Sequence, residues 1–206
     1  MDRDNLTIEQ RVAARLKSLR AARSLTLDDL AEHSGVSRSM ISLIERAESS
    51  ATAAVLDKLA ASLGVTLASL FTEDQREDAS PLHARKDQPE WKDPESGYLR
   101  RNLSPPGYPS AIELVEVILP PGAHVAYDSG IRASAVDQQI WLLEGSVEIT
   151  VDKMTYQLAP GDCLAMRLDQ PIVFRNRTRK RSRHLVALAV GSAPAMEGRF
   201  KRGNSK

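Results

Sequence analysis

Hydrophobic positions recur at helical spacing through the first third of the chain. Over residues 7–23, apolar side chains return every three or four positions, which predicts a helix with one apolar face. Similar spacing, interrupted by glycine and by capping serine or threonine residues, continues to residue 71. This part of the chain therefore predicts an all-α domain of five helices. The four later helices are predicted at residues 25–31, at the stretch that Ser37 begins, and at residues 52–63 and 67–71.

Two of these helices are short and are joined by a turn that contains a glycine. Thr26 is placed to cap the first helix, Gly35 allows the positive φ of the turn, and Ser37 is placed to cap the second helix. The second helix has an apolar side, which leaves its polar side free to contact a partner. Two short helices with such a turn predict a helix-turn-helix. The apolar side consists of Met40, Ile41 and Ile44.

The hydrophobic period changes to two beyond residue 97. Short segments rich in Val, Ile and Leu alternate with turn sequences, a pattern typical of a β-barrel or jelly roll. Between the two patterns, residues 72–97 are dominated by charged residues and proline and have no period, which predicts a linker. Strands are predicted at residues 111–119, 139–143, 146–151, 155–158, 172–174 and 185–190.

Length and charge limit what the chain can do. Its 206 residues suit two domains, and a net charge of +1 excludes a bulk positive field, so any nucleic-acid binding must come from local patches. A single cysteine, Cys163, excludes an internal disulfide, and we expect it to be buried on a strand. The sequence has neither a signal peptide nor an apolar run long enough for a bilayer, which predicts a cytoplasmic protein without membrane contact.

The helix-turn-helix resembles that of the Cro/C1-type (XRE) regulators over residues 8–71. The resemblance is carried by Leu27-x-x-Leu-Ala, then Gly-Val-Ser, then Ile-Ser-x-Ile-Glu-Arg, in the order and spacing of the family. Ala47 departs from it, since the family usually has glycine there, and a slightly longer helix would accommodate alanine. The resemblance implies that the second helix reads DNA, with Arg38 at a base edge and Thr26 at a phosphate. The candidate DNA-binding residues are Thr26, Ser37, Arg38, Ser39, Ser42, Leu43 and Arg46.

Two basic segments outside that helix have two interpretations each. The polar face of the first helix is either solvated or in contact with DNA phosphate. Residues 175–183 contain six bases and no acid, and form either a solvated hairpin tip or a site for DNA phosphate or an anionic effector. The polar, basic segment 192–206 is predicted to be disordered. The bases of the first helix are Arg11, Arg15, Lys17 and Arg20.

The second half of the chain resembles the cupin family over about residues 113–190. Trp141-Leu-Leu-Glu-Gly-Ser-Val-Glu-Ile, Leu158-Ala-Pro-Gly-Asp-Cys and Pro171-Ile-Val-Phe-Arg-Asn carry the resemblance. Metal-binding cupins supply histidines and a glutamate at positions that here hold Arg132, Ser134, Gln138 and Ile172, which are not metal ligands. We therefore expect no metal, no cofactor and no enzymatic activity.

Alternating residues on the predicted strands point to one face of the barrel, where they would line an effector pocket with Gln138 as its polar group. A filled core would show the same pattern. The candidate pocket residues are Gln138, Ile140, Leu142 and Ile172.

Together these features predict a multidomain protein: an all-α, five-helix DNA-binding domain followed by an all-β cupin (jelly-roll) barrel. The expected function is sequence-specific transcriptional regulation by a homodimer that binds a palindromic operator in double-stranded DNA and senses a small molecule. The alternatives are a cupin enzyme tethered by its helical domain, and a cupin that only dimerises. The expected boundaries are 5–71 for the DNA-binding domain, 72–97 for the linker, 98–191 for the barrel and 192–206 for the tail.

Overall fold

The structure is a computed structural model that describes residues 6–72, 78–128 and 136–190. Within these ranges, four α-helices come first and ten β-strands follow. No helix within these ranges is both long and apolar enough to cross a bilayer. The predicted tail, residues 192–206, lies outside the described residues. The helices are α1 Ile8–Ala22, α2 Leu27–Ser34, α3 Arg38–Glu45 and α4 Ala53–Ser62.

The predicted helix-turn-helix is confirmed, with both predicted caps in place. The Thr26 side chain accepts a hydrogen bond from the Asp29 amide at the start of α2, and the Ser37 side chain accepts one from the Met40 amide at the start of α3. Between them, Gly35 ends α2 with a φ of 67°, a left-handed conformation that glycine adopts without steric cost. Local capping therefore decides where both helices begin.

Helix α3 ends at Glu45, and the chain leaves the helical conformation at Ala47. Ala47 has a φ of 56°, its amide donates to Ile44 O, and the Glu48 amide donates to Leu43 O. This pair of bonds is a Schellman motif, in which the left-handed position is usually glycine. The expectation of a slightly longer helix was wrong, and alanine holds a conformation that is strained for any side chain with a Cβ.

The fifth helix of the prediction is a 3₁₀ turn at Ala68–Phe71. Its bonds join residues three apart, as in the donation from the Ser69 amide to Thr66 O. A segment of four residues forms too few α-helical hydrogen bonds to offset the conformational entropy lost in the first turn. The chain is already extended at Thr72.

The second part of the chain folds into two antiparallel sheets. One has six strands in the order β1-β2-β3-β10-β5-β8, and the other has four in the order β4-β9-β6-β7. The alternating burial along β5 shows one side facing the core and the other facing solvent. The strands are β1 Glu90–Lys92, β2 Leu99–Asn102, β3 Ile112–Leu119, β4 His124–Tyr127, β5 Val136–Glu144, β6 Val147–Val151, β7 Met154–Leu158, β8 Cys163–Arg167, β9 Ile172–Arg175 and β10 Ser182–Val190.

All six predicted strands are present, and four more were missed. The missed strands β1, β2, β4 and β8 are three to five residues long, and β2 includes two arginines, so no alternation was visible. Strand β1 lies within the segment predicted as a linker, residues 72–97, near its C-terminal end. Cys163 lies on β8 as a strand residue, but it is exposed because β8 is an edge strand and the side chain points outward.

Helix α4 lies against the β domain and joins it to the helical domain. The buried Asp93 carboxylate accepts a hydrogen bond of 2.7 Å from the Ala53 amide at the first turn of α4. The Phe71 and Trp91 rings pack with their centroids 5.4 Å apart across the same boundary. Glu113 on β3 accepts hydrogen bonds from the hydroxyls of Thr66 and Ser69, which follow α4 in the chain. The start of α4 and the segment after its end are therefore both bonded to the β domain.

His184 is a buried histidine on β10, on the core side of the six-stranded sheet. It is 1% exposed and stacks on Phe174, with ring centroids 5.8 Å apart. Burial lowers the pKa of His184 to about 4 from its ordinary value of 6.5, because the imidazolium would lose its hydration. The neutral form is therefore built into the core.

This burial predicts that acid destabilises the protein. The unfolded chain binds a proton at His184 below about pH 6.5 while the folded chain does not until about pH 4, so stability falls as the pH is lowered through that window. Between pH 7 and pH 5, the wild type should lose about 1–2 kcal/mol more unfolding free energy than His184→Gln. Urea titrations at both pH values would measure it. The exposed His33→Gln should behave like the wild type, and an equal loss in all three proteins would contradict the prediction.

Candidate nucleic-acid interface and effector cavity

The polar side of α3 faces solvent, as a surface that contacts DNA must. Ser37, Arg38, Ser39 and Arg46 are exposed, whereas Ser42 and Leu43 are half-buried. The opposite side is anchored, since Ile41 and Ile44 lie in the core. Met40, which the sequence placed on the apolar side, is partly exposed at the margin between the two sides.

Both arginines of this surface already hold acidic partners. Arg38 Nε lies 3.1 Å from Asp28 Oδ1, with both side chains mostly exposed. Arg46 forms two hydrogen bonds of 2.9 Å to Glu48, which lower the pKa of the Glu48 carboxyl. Exposed ion pairs of this kind are weak, so a phosphate or a guanine edge can displace the acid. Both arginines therefore remain available to a stronger anion or base edge.

Thr26 differs from the other candidate residues because both of its donors are used. Its amide and its hydroxyl donate to Asp29 Oδ2 at 2.8 and 2.7 Å, while the hydroxyl accepts from the Asp29 amide. These bonds lower the pKa of the Asp29 carboxyl. A phosphate at Thr26 would have to replace that carboxylate. The sequence located Thr26 at the start of α2, but it gave no sign that Asp29 would occupy the site.

Sequence reasoning missed the contact that fixes the orientation of α3. Arg20 on α1 donates from Nε and Nη2 to the two carboxylate oxygens of Glu45, each at 2.7 Å, and its Nη1 donates to Leu25 O at 2.9 Å. The Arg20 and Glu45 side chains are only 15% and 7% exposed. The bidentate geometry gives two charge-assisted hydrogen bonds, and the bond to Glu45 raises the pKa of Arg20. Arg20 therefore positions the recognition helix and is not free to contact phosphate.

A cavity of about 60 Å³ lies inside the β domain against the helical domain. Its lining combines apolar side chains of both sheets with a few polar groups, including Arg100, Gln138 and His184. Asp57 on α4 contributes to the lining too, as do Thr66 and Leu67 just after α4.

The predicted pocket residues divide into two groups. Gln138 and Ile172 line the cavity, and both are buried. Ile140 and Leu142 lie on the same side of β5 and are fully buried, but the described lining does not include them. Sequence reasoning missed Arg100, because two adjacent arginines on a short strand gave no sign of which one pointed inward.

The described residues bring together no group of three or more histidine, cysteine or acidic side chains that could hold a metal. Of the positions where a metal-binding cupin has its ligands, Gln138 and Ile172 face the cavity, and Arg132 and Ser134 lie outside the described residues.

The basic run at residues 175–183 is partly neutralised by ion pairs of the β domain. Asn176 is fully buried at its start and donates to Lys180 O at 2.8 Å, which shapes the loop. The exposed bases of the loop outside these ion pairs are Arg179, Lys180 and Arg181. The ion pairs are Arg175–Glu148, Arg177–Glu148, Arg183–Glu116 and Arg183–Glu144.

The Arg20–Glu45 pair makes a prediction about stability and DNA affinity together. Glu45→Gln removes the charge and leaves a sheltered guanidinium without its anion, which should cost about 1–3 kcal/mol of unfolding free energy. DNA binding should weaken as well, because α3 loses its fixed orientation. Chemical denaturation and DNA titration would measure both effects. Glu48→Gln, which breaks the exposed Arg46 pair, is the matched control for stability, and an equal loss in the two variants would contradict the assignment.

Comparison with known proteins agrees with this geometry. The helix-turn-helix family model (HTH_3) matches residues 16–70. The HTH-type transcriptional regulator SutR of Escherichia coli (strain K12) is 27% identical over 161 residues, which cover 78% of this chain and 84% of SutR. The crystal structure of an HTH_3 family transcriptional regulator from Vibrio cholerae is 26% identical, covers 88% of this chain and 96% of its own, and superposes with a TM-score of 0.69.

The cupin domain of an XRE family transcriptional regulator from Enterobacter cloacae is more distant. It is 18% identical and covers 45% of this chain and 95% of its own, with a TM-score of 0.39. The whole-chain match to the Vibrio cholerae regulator therefore carries the argument for the order of the two domains. These matches identify residues 16–70 as a helix-turn-helix of the HTH_3 type, in a chain that is similar over most of its length to transcriptional regulators.

Proposed function

We propose that this regulator binds a specific DNA operator as a homodimer, that its β domain binds a small-molecule effector, and that it has no enzymatic activity. The observation that carries the proposal is the exposed polar side of α3, held at a fixed angle by the bidentate Arg20–Glu45 pair. A recognition helix must present side chains to base edges without moving relative to the domain that grips the backbone.

Arg38 is the residue proposed to read sequence. It is exposed at the first turn of α3, and a guanidinium can pair with both acceptors of a guanine in the major groove. Ser39 and Ser42 can pair with any base, and Arg46 is placed for a phosphate at the other end of the helix. Thr26 is proposed to touch the backbone as well, at the cost of releasing Asp29.

The effector role is supported by the position of the cavity. Its walls come from the two sheets, from Asp57 on α4, and from Thr66 and Leu67 just after α4. A bound molecule would therefore contact the helical domain, which contains α3. SutR and the Vibrio cholerae protein, each similar to this chain over most of its length, are transcriptional regulators, which favours sensing over catalysis. Regulation of a chromosomal operator would place the protein in the cytoplasm.

Dimerisation is proposed to use the outer face of the six-stranded sheet. Trp141 on β5 is 48% exposed there and lies between Leu185 on β10 and Cys163 on β8 in the strand register. Ala187 continues this apolar row on β10, opposite Gln139. An exposed tryptophan beside other apolar residues on a solvent-facing sheet is typical of a surface that pairs with a second copy. A symmetric dimer would present two copies of α3 to a palindromic site.

The first test distinguishes a contact with a base edge from nonspecific attraction to phosphate. Arg38→Ala should weaken binding to an operator, isolated by selection from random duplexes, by about 1–3 kcal/mol, and should affect random DNA much less. Lys153→Ala, which removes an exposed charge from the β6–β7 turn, should leave both affinities unchanged. Titrations at two salt concentrations would also show the steep salt dependence of phosphate contacts. An Arg38→Ala protein with full operator preference would contradict the assignment.

The second test concerns the dimer. Trp141→Glu places a charge in the centre of the proposed interface and should convert the protein to a monomer, as measured by sedimentation velocity at micromolar concentration. Tyr156→Glu, a matched change of an exposed aromatic residue on the other sheet, should leave the dimer intact. If the wild type is a monomer, the homodimer proposal is wrong. If Tyr156→Glu dissociates the dimer and Trp141→Glu does not, the interface lies on the four-stranded sheet.

A further inference from the structure

We propose that the loop between β9 and β10, residues 176–181, is a second DNA-contacting surface, which binds phosphates of the operator duplex beside the site read by α3. This segment is called the basic loop, and its contacts would come from Arg179, Lys180 and Arg181. The inference rests on the proposed DNA-binding function and adds to it a direct role for the β domain.

The basic loop carries three positive charges that no acidic side chain offsets. Arg179, Lys180 and Arg181 follow one another in the sequence and are all exposed. The other arginines of the run hold glutamates of the β domain, whereas none of these three forms an ion pair with the residues that the structure describes. Three adjacent cations repel one another, so a polyanion that brings several negative charges to the loop is bound favourably.

The basic loop is held in one conformation by a buried asparagine. The Asn176 side chain donates from Nδ2 to Lys180 O at 2.8 Å, and its Oδ1 accepts from the Thr178 amide at 3.0 Å. The Arg181 carbonyl packs against Gly145 so closely that a Cβ at that glycine would lie 2.5 Å from the oxygen. These contacts use backbone groups of the loop and leave its charged side chains exposed. Because the backbone is already ordered, binding to a partner costs little further conformational entropy.

The basic loop leaves the same end of the six-stranded sheet as the turn between β1 and β2. Ser182 at the start of β10 pairs with Leu119 at the end of β3, and Leu99 at the start of β2 pairs with Ile118. Strands β2 and β10 lie on either side of β3, so the two turns begin about 10 Å apart, which is twice the spacing of neighbouring strands.

The β1–β2 turn in its turn contacts the helical domain where α4 begins. Asp93 of this turn accepts from the Ala53 amide at 2.7 Å, and residues 46–52 alone separate the start of α4 from the end of α3. The exposed charges of the turn, Lys92 and Glu95, offset each other. Each DNA strand offers a phosphate for every 3.4 Å or so of helix axis. The backbone that flanks a site contacted by α3 would therefore pass the end of the sheet where the basic loop lies.

DNA fits the basic loop better than a small anionic effector does. None of the three bases lines the cavity of the β domain, and all three are exposed, so nothing around them excludes water from a small anion. Exposed ion pairs with a single small anion are weak. A duplex instead binds through several phosphates at once and releases counterions from each of them.

The experiment removes two charges from the basic loop and, as a matched control, two charges from the opposite end of the β domain. The loop variant is Arg179→Gln/Arg181→Gln. The control variant is Lys153→Gln/Arg167→Gln, whose two positions lie at the far ends of their strands from the loop in the strand register. Both variants change the net charge equally, and both should melt at the temperature of the wild type.

The full-length proteins would be titrated with the selected operator and with random duplexes at four salt concentrations. The loop variant should bind both kinds of duplex about tenfold more weakly, with its operator preference unchanged, because phosphate contacts carry no sequence information. Its slope of log affinity against log salt should become shallower by about 0.9 for each phosphate contact that is lost. The control variant should bind like the wild type.

Photo-crosslinking locates the contact directly. Replacing Arg179 by the photo-crosslinking residue p-benzoylphenylalanine should give a covalent adduct with the operator on irradiation. The same replacement of Lys153 should give none, because the β6–β7 turn lies at the other end of the β domain.

The outcomes separate the loop contact from DNA recognition by α3. If the loop variant binds like the wild type while Arg38→Ala loses operator preference, the basic loop is only a solvated turn and the proposed function stands. An equal loss in the loop and control variants would be a general effect of charge and would also overturn the loop contact. Loss of operator preference in the loop variant would indicate base reading and contradict a phosphate contact. A wild type that binds no duplex would overturn the loop contact and the proposed function together.

Discussion

The two domains depend on one buried carboxylate at their boundary. Asp93 accepts the Ala53 amide at 2.7 Å, where α4 begins and the helix dipole favours negative charge. Its other oxygen holds the Ser96 amide and hydroxyl, which shape the turn between β1 and β2. A single side chain thus caps a helix of one domain and folds a hairpin of the other, so neither element can move without breaking a buried, charge-assisted hydrogen bond.

The hydrogen bond between Asp93 and α4 connects the helical domain, which carries the exposed side of α3, to the β domain, which contains the cavity. Helix α4 packs against the β domain at its start through Asp93, and the residues just after it reach Glu113. Helix α3 is fixed in turn by the Arg20–Glu45 pair. A molecule in the cavity would contact Asp57 on α4 directly, and the path from there to α3 runs through packed helices. Two ligands of one protein are coupled when each binds one conformation of the connected domains more tightly than another.

The accuracy of the sequence interpretation varied with the range of the interactions involved. The caps at Thr26 and Ser37, the turn at Gly35 and the six predicted strands follow from local rules, and they were confirmed. The edge strand β8 and the polar strand β2 were missed because their burial depends on partners far along the chain. Cys163 was expected to be buried because cysteine is usually a core residue. It is exposed, since its strand, β8, lies at the edge of the sheet.

The sequence by itself determined the order of the domains, the helix-turn-helix and the polar side of α3, because periodicity and capping act over a few neighbouring residues. Only the tertiary structure decided the roles of the arginines. Arg20 became the support of α3, Arg101 paired with Glu116, and Arg100 joined the lining of the cavity. Adjacent strand residues point to opposite faces, so which of two neighbouring arginines enters a core depends on the register with strands that the chain reaches later.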